Sequence, residues 1–293
     1  SLKEVAEEYF NIRNLKPKTL HEYRRAIENH VSDWMSKPMD TISKEMIITR
    51  HRRISKNSGD AMADNVMKVM RSLFSFFKDH HEFTGNNPVK TLSTNRLWKT
   101  GIQNRRTRYI PHNKLPEWFA IFNQLSHETW RDYIQFTLLT GLRKEEAAKL
   151  AWTTIDLDQK FFYIPDTKNS KPHYLPLNTA LMKMLLRRQK KSNSKWVFPS
   201  LSNPSRSLYP EAIWRHIYRN HNLKLSTHDL RRSFITIAEG LGIDQLTRKR
   251  LMNHKSTGDV TEGYIIHEVG RLRDPSEKIA QAIVTSIDSP MSD

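Results

Sequence analysis

Cysteine is absent from this 293-residue chain, which excludes disulfide bonds and any chemistry that needs a thiol. The absence fits a reducing compartment. No run of about 18 apolar residues is present either, so we expect no membrane-spanning helix. The opening stretch SLKEVAEEYF is charged and helix-like, unlike a secretory signal, and its start at serine rather than methionine indicates that a segment can precede it.

Motifs for metal-dependent or nucleotide-dependent chemistry are missing as well. The sequence has no His-Glu-x-x-His, no carboxylate cluster of the kind that holds paired magnesium ions, and no Walker-type glycine loop. We therefore expect neither a metal nor another cofactor.

Acidic residues are few relative to basic ones. The chain has 31 Asp and Glu against 48 Lys and Arg, which gives a net charge of +17. Residues 265–293 hold three basic and five acidic side chains, so the positive charge lies in the part before them. A field of this sign favours a polyanion, and nucleic acid is the commonest one. The alternative is a soluble basic protein whose charges are merely solvated.

The length and an apolar content of 37% predict two domains of ordinary size. The first, residues 1–89, is predicted to be helical. A second helix is expected from Thr19, as its N-cap, to Val31, and residues 59–80 repeat apolar side chains at spacings of three and four. The first helix should bury one apolar face, made of Leu2, Val5, Ala6, Tyr9 and Phe10.

Residues 90–110 form the predicted linker, which has six basic side chains and no acidic one: Lys90, Arg96, Lys99, Arg105, Arg106 and Arg108. A segment that lies along phosphates benefits from this bias, because each basic contact releases condensed counterions. We therefore expect the last five of these side chains to bind nucleic acid. A solvated linker is the alternative.

The second domain, residues 111–293, changes from helical periodicity to period two and back. The stretches AWTTIDLDQKFFYIPD and KPHYLPL predict short strands of an antiparallel sheet, joined by the turn TKNSKP. The predicted fold class is therefore α+β and mostly helical, with a helical N-terminal domain and a mixed second domain that contains a small antiparallel sheet.

Two basic side chains stand out near these strands. Arg143 follows Gly141 at the start of a predicted helix, where a guanidinium and a helix N-terminus together favour an anion. Pairing of Arg143 with Glu145 or Glu146 is the ordinary alternative. Lys168 lies in the turn between two strands, where a solvated lysine is the ordinary interpretation.

The stretch STHDLRRSFITIAEGLG crowds three potential cations into one helical turn. Thr227 is the expected N-cap, and His228 and Arg231, three residues apart, share a helix face. A proton-transfer group and a phosphate clamp then meet at the positive end of a helix. Arg232 points elsewhere and is expected to be structural.

A last stretch, LTRKRLMNHKSTGDVTEGYIIHEVG, places His254 after an apolar helical segment and Tyr264 ten residues later. A single tyrosine is more often a packing or surface residue. However, the motifs TGLRKEE, TKNSK, HDLRRSF, LMNHKS and VTEGYI follow one another in an order that resembles the tyrosine recombinases, including phage and genomic-island integrases. The resemblance spans nearly the whole chain.

The resemblance implies a role for each residue: Arg143 and Arg231 hold the scissile phosphate, Lys168 is the general acid, His228 assists proton transfer, His254 bonds a phosphate oxygen, Tyr264 is the nucleophile and Glu146 braces the site. The spacing from His254 to Tyr264 is longer than in the common family pattern, which indicates a small insertion in STGDV. Two arginines and a histidine would take the electrostatic part that a metal plays elsewhere.

The implied function is site-specific recombination through a 3′-phosphotyrosine, which integrates or excises a mobile element without ATP. The implied partners are double-stranded DNA at attachment core sites, a homo-tetramer on that DNA and an accessory DNA-bending protein, in the cytoplasm of a bacterial host. Residues 1–89 would bind the core site and residues 111–293 would be catalytic. Two alternatives stay open: a basic, non-catalytic DNA-binding regulator, and a type IB topoisomerase-like enzyme.

The tail, residues 265–293, has an apolar stripe at Ile279, Ile283 and Ile287. The resemblance implies that this tail docks on a neighbouring subunit. The alternative is that it folds back on its own domain.

Overall fold

The protein is described by a computed structural model that covers residues 1–99, 107–167, 172–253 and 265–288, with the backbone alone for residues 265–268. It divides into two compact units, Ser1–Arg106 and Thr107–Asp293. The predicted fold class is confirmed, because the chain is mostly helical and has a small antiparallel sheet. Of the helices in the described ranges, none has the length and hydropathy needed to cross a membrane.

The first unit contains the helices α1 (Leu2–Ile12), α2 (Pro17–His30), α3 (Lys44–Ser58), α4 (Asp60–His80) and α5 (Lys90–Thr94), with short 3₁₀ turns at Ser32–Trp34 and Met39–Thr41. A capping box starts α1: the Ser1 hydroxyl accepts from the backbone N–H of Glu4, and the Glu4 carboxylate accepts from the chain's terminal amine. The apolar face predicted for α1 is buried.

The core of the first unit surrounds α4, which packs against α1, α2 and α3. Its side chains Val66, Met70 and Leu73 are completely buried, as their spacing predicts.

The prediction of Thr19 as an N-cap is wrong: α2 begins at Pro17, a residue that suits the first helical turn because it has no N–H to satisfy. The linker prediction also extends too far, since α5 lies in it and buries Leu92 in this core.

The second unit contains α6 (Leu115–Asn123), α7 (Glu128–Thr140), α8 (Lys144–Ala148), β1 (Ile155–Asp156), β2 (Phe161–Ile164), β3 (His173–Pro176), α9 (Thr179–Gln189), α10 (Pro210–His221), α11 (Thr227–Gly240), α12 (Gln245–Leu251) and α13 (Ile265–Asp288), with 3₁₀ turns at His112–Lys114 and Trp152–Thr154. Its core continues at the predicted linker's other end, where Ile110 is buried.

The sheet has the strand order β1-β2-β3, and both pairings are antiparallel. Phe162 pairs with Leu175, and both side chains are buried on the face toward the core. Ile164 and His173 form the last pair before the turn that joins β2 to β3. The period-two pattern of the sequence therefore identified the strands, and the structure shows which of their faces is buried.

Gly141 ends α7 and lets the chain turn sharply into α8. Its backbone lies in the left-handed region, at φ 62°, where glycine is favoured. A Cβ at this position would lie 2.6 Å from the ring of Phe234 in α11 and 2.7 Å from the sulfur of Met252. The absence of a side chain therefore brings α7, α11 and the end of α12 close together, and the candidate site lies at this junction.

The helix α13 corrects the prediction of a tail that docks on another subunit. It packs on its own unit against α6, α9, α11 and β3. Ile279 and Ile283 are completely buried there, and Ile287 packs at the margin of the same core. The apolar stripe was recognised correctly, but it faces the protein's own core.

Candidate active site

Arg143 occupies the N-cap position of α8, directly after the turn at Gly141. Glu146, one helical turn later, accepts two hydrogen bonds from it. One carboxylate oxygen accepts from the backbone N–H of Arg143 at 3.0 Å, and the other accepts from its Nη1 at 2.8 Å. Glu146 is buried, whereas Arg143 keeps part of its surface exposed. The pair therefore fixes a guanidinium that is still open to solvent on one side.

Arg231, in the first turns of α11, is only 3% exposed. Its Nη1 donates to the carbonyl of Gly141 at 2.5 Å, and its Nη2 donates to the carbonyl of Met252 at 2.6 Å. Within the described residues, no carboxylate lies within ion-pair distance of this guanidinium. The pKa of Arg231 is lowered to about 10, chiefly by burial and then by the charge of Arg143, while Glu146 opposes both effects. The site thus holds a protonated, poorly compensated cation.

The start of α11 is fixed by a chain of buried hydrogen bonds. Trp214 donates its indole N–H to the Thr227 hydroxyl at 3.0 Å, and that hydroxyl lies 3.3 Å from the Tyr133 hydroxyl. The Tyr133 hydroxyl in turn donates to the carbonyl of Lys144 at 3.0 Å, and burial raises its pKa. The chain connects α10, α11, α7 and α8, so it sets the distance between the helix starts that carry the two arginines.

Thr227 does not have the role predicted for it. The N-cap of α11 is Ser226, and Thr227 is the first helical residue. Its hydroxyl is used for the buried contacts to Tyr133 and Trp214 instead. The sequence offered only a weak signal for those two partners, namely aromatic side chains with a polar tip on apolar helix faces.

His228 lies in the first turn of α11 and is exposed. Loss of solvent on its protein-facing side lowers its pKa, and the charges of Arg232 and Arg231 lower it further. An imidazole whose pKa is lowered is largely neutral at pH 7 and can accept a proton. The geometry thus places a neutral base next to two cations.

Arg232 is structural, as predicted. It donates to the Asp229 carboxylate at 3.0 Å and to the carbonyl of Arg108 at 3.3 Å. Asp229 is buried and also accepts from the Ser226 hydroxyl at 2.8 Å. The Arg108 guanidinium lies 3.8 Å from the same carboxylate, so this predicted nucleic-acid contact has an acidic neighbour in the protein.

The other predicted nucleic-acid contacts lie in the first unit or outside the described residues. Arg96 and Lys99 are exposed, and the backbone N–H of Lys99 donates to the buried Asp64 carboxylate at 3.2 Å. Arg105 and Arg106 lie outside the described residues.

Three of the predicted catalytic residues, Lys168, His254 and Tyr264, also lie outside the described residues. The described part of the chain brings together Arg143, Arg231 and the first turn of α11 that carries His228. No group of three or more potential metal-ligating side chains was found in that part.

His173, at the start of β3, was missed in the sequence. Its Nε2 lies 3.3 Å from the carbonyl of Leu251, the last residue of α12. Its pKa is lowered to about 4, chiefly by burial; the bond to the Leu251 carbonyl and the charge of Glu146 raise it, and the charges of Arg231 and Arg143 lower it. It therefore belongs to the same electrostatic environment as the two arginines. The sequence placed it in a strand but gave no reason to single it out.

A sequence profile of the phage integrase family matches residues 108–269, more than half of the chain. Prophage integrase IntF from Escherichia coli K12 is 30% identical over 176 residues, which cover 58% of this chain and 38% of that protein. Tyrosine recombinase XerA from Pyrococcus furiosus is 29% identical over 134 residues, which cover 43% and 47%. The chain thus spans less than half the length of these curated relatives.

Solved structures share the fold over most of the chain. A lambda integrase tetramer bound to a Holliday junction has a TM-score of 0.69 and 19% identity, covering 89% of this chain and 78% of that one. The Tn1549 transposon integrase in complex with transposon right end DNA has a TM-score of 0.70 and 14% identity, covering 97% and 99%. At these identities the likeness is one of fold.

Proposed function

Because the chain belongs to the phage integrase family, we propose that it is a site-specific DNA recombinase that integrates or excises a mobile element. It would cut and rejoin DNA through a covalent 3′-phosphotyrosine. The observation that carries the proposal is the buried Arg231, which lies beside Arg143 and is held by backbone carbonyls. Such a cation is stabilised by an anion from outside the protein, and a phosphodiester has the matching charge and geometry.

The two arginines would hold the scissile phosphate and meet the charge of the transition state. A guanidinium has five N–H donors. Arg231 uses donors on both Nη atoms to fix itself against the carbonyls of Gly141 and Met252, so its orientation is set before the phosphate arrives. Glu146 does the same for Arg143. Orientation in advance is what makes such donors effective in catalysis.

The proton transfers that the reaction needs suggest roles for the remaining residues. The phenol oxygen of Tyr264 would attack phosphorus and form the new P–O bond, while its proton passes to the neutral imidazole of His228. The bond from phosphorus to the 5′ oxygen would break as Lys168 protonates that oxygen, and His254 would bond a phosphate oxygen. Rejoining is the reverse step with a 5′ hydroxyl from another strand, so neither ATP nor a metal is consumed.

The proposed partner is double-stranded DNA at attachment core sites. The net charge of +17 supports a polyanionic partner, and the exposed Arg96 and Lys99 are proposed to contact DNA phosphates, as are Arg105, Arg106 and Arg108. A homo-tetramer on DNA is proposed by analogy with the lambda integrase tetramer on a Holliday junction. An accessory DNA-bending protein and a bacterial cytoplasm complete the proposal.

A nicked suicide duplex tests the chemistry directly. The duplex is built from the short repeats in the DNA that flanks the gene, and the nick lets the cut fragment diffuse away so that the covalent adduct accumulates. We expect the wild-type chain to form an adduct that is resistant to denaturant, and Tyr264→Phe to bind the same duplex without forming one.

The alternatives are separated by two outcomes, one in this assay and one in a plasmid relaxation assay. A non-catalytic regulator binds the duplex but forms no adduct in the wild type. A type IB topoisomerase-like enzyme relaxes supercoiled plasmids that lack the repeats as fast as plasmids that contain them. Either outcome would overturn the proposal.

A further inference from the structure

Three consecutive backbone carbonyls at the end of α12 accept hydrogen bonds from three side chains of the candidate site. In chain order, the Leu251 carbonyl accepts from His173 Nε2 at 3.3 Å, the Met252 carbonyl from Arg231 Nη2 at 2.6 Å and the Asn253 carbonyl from Arg143 Nη2 at 3.3 Å. We call these carbonyls, of residues 251–253, the carbonyl ledge. The donors come from β3, α11 and the N-cap of α8, so the ledge joins three separate parts of the fold.

The carbonyl ledge has a physical reason to attract these donors. The last carbonyls of a helix have no partner within the helix, and the helix C-terminus carries a partial negative charge. Two guanidiniums therefore stabilise this end of α12 while they are themselves oriented by it. His173 supplies the third donor, at the position where α12 ends.

His173 donates to the carbonyl ledge as a neutral side chain. Because a carbonyl oxygen can only accept, Nε2 must carry the proton in this contact. The pKa of His173 is lowered to about 4, chiefly by burial and also by the two arginines, although the Leu251 carbonyl and Glu146 raise it, so the ring is neutral at pH 7. A third cation beside Arg143 and Arg231 would add repulsion, whereas a neutral imidazole supplies a donor without charge.

The position of His173 in the sheet explains how its bond to the Leu251 carbonyl can affect the rest of the site. His173 pairs with Ile164 at the end of the β2–β3 ladder, and Lys168 lies between these two residues in the sequence. The place where His173 is held therefore sets where the turn leaves the sheet. The carbonyl ledge, in turn, is held by the arginines proposed to bind the phosphate.

We propose that His173 is a positioning residue that ties β3, the strand after Lys168 in the sequence, to the carbonyl ledge, and so helps to place the proposed general acid relative to the arginine-bound phosphate. The inference rests on the proposed function. It assigns His173 no contact with DNA and no proton transfer; its role is to donate one hydrogen bond across the site.

The test compares two substitutions in the nicked-duplex assay at saturating DNA. His173→Leu removes the donor, whereas His173→Gln keeps an N–H at nearly the same place. We expect His173→Leu to slow adduct formation about 10- to 100-fold, because small misplacements of a reacting group cost this much. His173→Gln should stay within about 3-fold of wild type. The DNA affinity of both variants should change by less than about 2-fold, because the proposal gives residue 173 no contact with DNA.

A second substrate separates misplacement from poor folding. When sulfur replaces the 5′ bridging oxygen, the leaving thiolate needs no proton, so the reaction no longer depends on the general acid. We expect the defect of His173→Leu to shrink to within about 3-fold on the sulfur substrate. A poorly folded fraction would instead lower the rates on both substrates equally.

His112 provides a matched control. Its Nε2 contacts the carbonyl of Ala282 in α13 at 3.1 Å, a contact of the same kind elsewhere in the unit, and His112→Leu should form adduct at the wild-type rate. Wild-type rates in His173→Leu, equal losses in its Leu and Gln variants, or equal losses on both substrates would overturn the inference. Absence of any adduct from the wild type would overturn the proposed function instead.

Discussion

Two arginine clusters in the second unit use the same side chain for opposite purposes. In the closed cluster, Arg187 and Arg188 on α9 meet two acidic residues of α7: Asp132 bonds both guanidiniums, and Glu128 lies 3.3 Å from Arg187. In the open cluster, the Glu146 carboxylate bonds Arg143 alone, and within the described residues Arg231 has no carboxylate at ion-pair distance. The first cluster is complete in the free protein. The second leaves the charge of Arg231 without a carboxylate partner among the described residues.

The difference separates arginines whose charge is met by the fold's own carboxylates from an arginine whose charge is met by backbone carbonyls. Arg188 is 10% exposed and Asp132 is 5% exposed, so their charges are removed from water together. Arg231 is buried to a similar degree, yet among the residues that the structure describes its hydrogen bonds go to the carbonyl oxygens of Gly141 and Met252 and to no carboxylate. Poor compensation of a buried cation lowers the stability of the free protein and favours the binding of phosphate.

The largest effect should come from opening the closed cluster. Asp132→Ala leaves two guanidiniums without their shared partner, and we expect the free energy of unfolding to fall by about 3–5 kcal/mol. Urea denaturation of the two proteins measures this change. As a control, Glu117→Ala removes an exposed partner of Lys114 and should cost no more than about 1 kcal/mol. Equal costs for the two substitutions would contradict the distinction.

A somewhat smaller effect, on chemistry instead of stability, should follow from weakening the open cluster. The compact ammonium of a lysine lacks the planar five-donor fork with which Arg231 can hold two carbonyls and still face a phosphate. Arg231→Lys should therefore slow adduct formation about 10²- to 10³-fold, which is about 2.7–4 kcal/mol. Single-turnover rates at saturating DNA measure the loss.

Arg188→Lys is the matched control, because it makes the same substitution in the closed cluster. It should lower stability and leave the adduct rate of the folded protein close to that of the wild type. If the two lysine variants lost activity to the same degree, the two clusters would not differ in function.

Much of the open cluster could be predicted from the sequence, because its residues lie in local motifs. Arg143 follows a glycine at a helix start, and His228 and Arg231 are three residues apart in one helical turn. Local periodicity also identified α4 and the strands β2 and β3. These features depend on near neighbours in the chain, which the sequence displays.

The remaining features depend on contacts between distant residues. His173 acquires its partner from α12, 78 positions later, and that partner is a backbone carbonyl, which leaves no mark on the sequence. The stripe of Ile279 and Ile283 has the same spacing whether it covers its own core or a neighbour's. Thr227 suits a cap by type, but buried partners from α7 and α10 use its hydroxyl instead.

Acidification should lower the stability of the protein through His173, the neutral histidine near the open cluster. The pKa of His173 is about 4 when folded, below its usual value near 6.5, so the unfolded chain binds more protons between these values. Its share of stability is thus present above about pH 6.5 and is lost as pH falls towards 4. We expect this loss to be about 2 kcal/mol, after allowance for the partial exposure of the ring.

Urea denaturation at pH 7 and at pH 4.5 measures the effect. His173→Gln does not titrate, so its stability should fall less on acidification than that of the wild type. His112→Gln, in an exposed position, should follow the wild type. Parallel losses in all three proteins would show that another group carries the acid sensitivity.

The smallest expected effect is also the most direct comparison of the two clusters. Inorganic phosphate should occupy the open cluster of the free protein, because a ligand that binds only the folded state stabilises it. At a concentration a few times its dissociation constant, phosphate should add about 1 kcal/mol, which raises Tm by about 2–4 °C relative to chloride at equal ionic strength.

Phosphate also stabilises proteins generally by exclusion from their surface. Arg188→Lys should therefore show the full shift, and Arg231→Lys only the part due to exclusion. Identical shifts in both variants would mean that the open cluster does not select an anion before DNA binds.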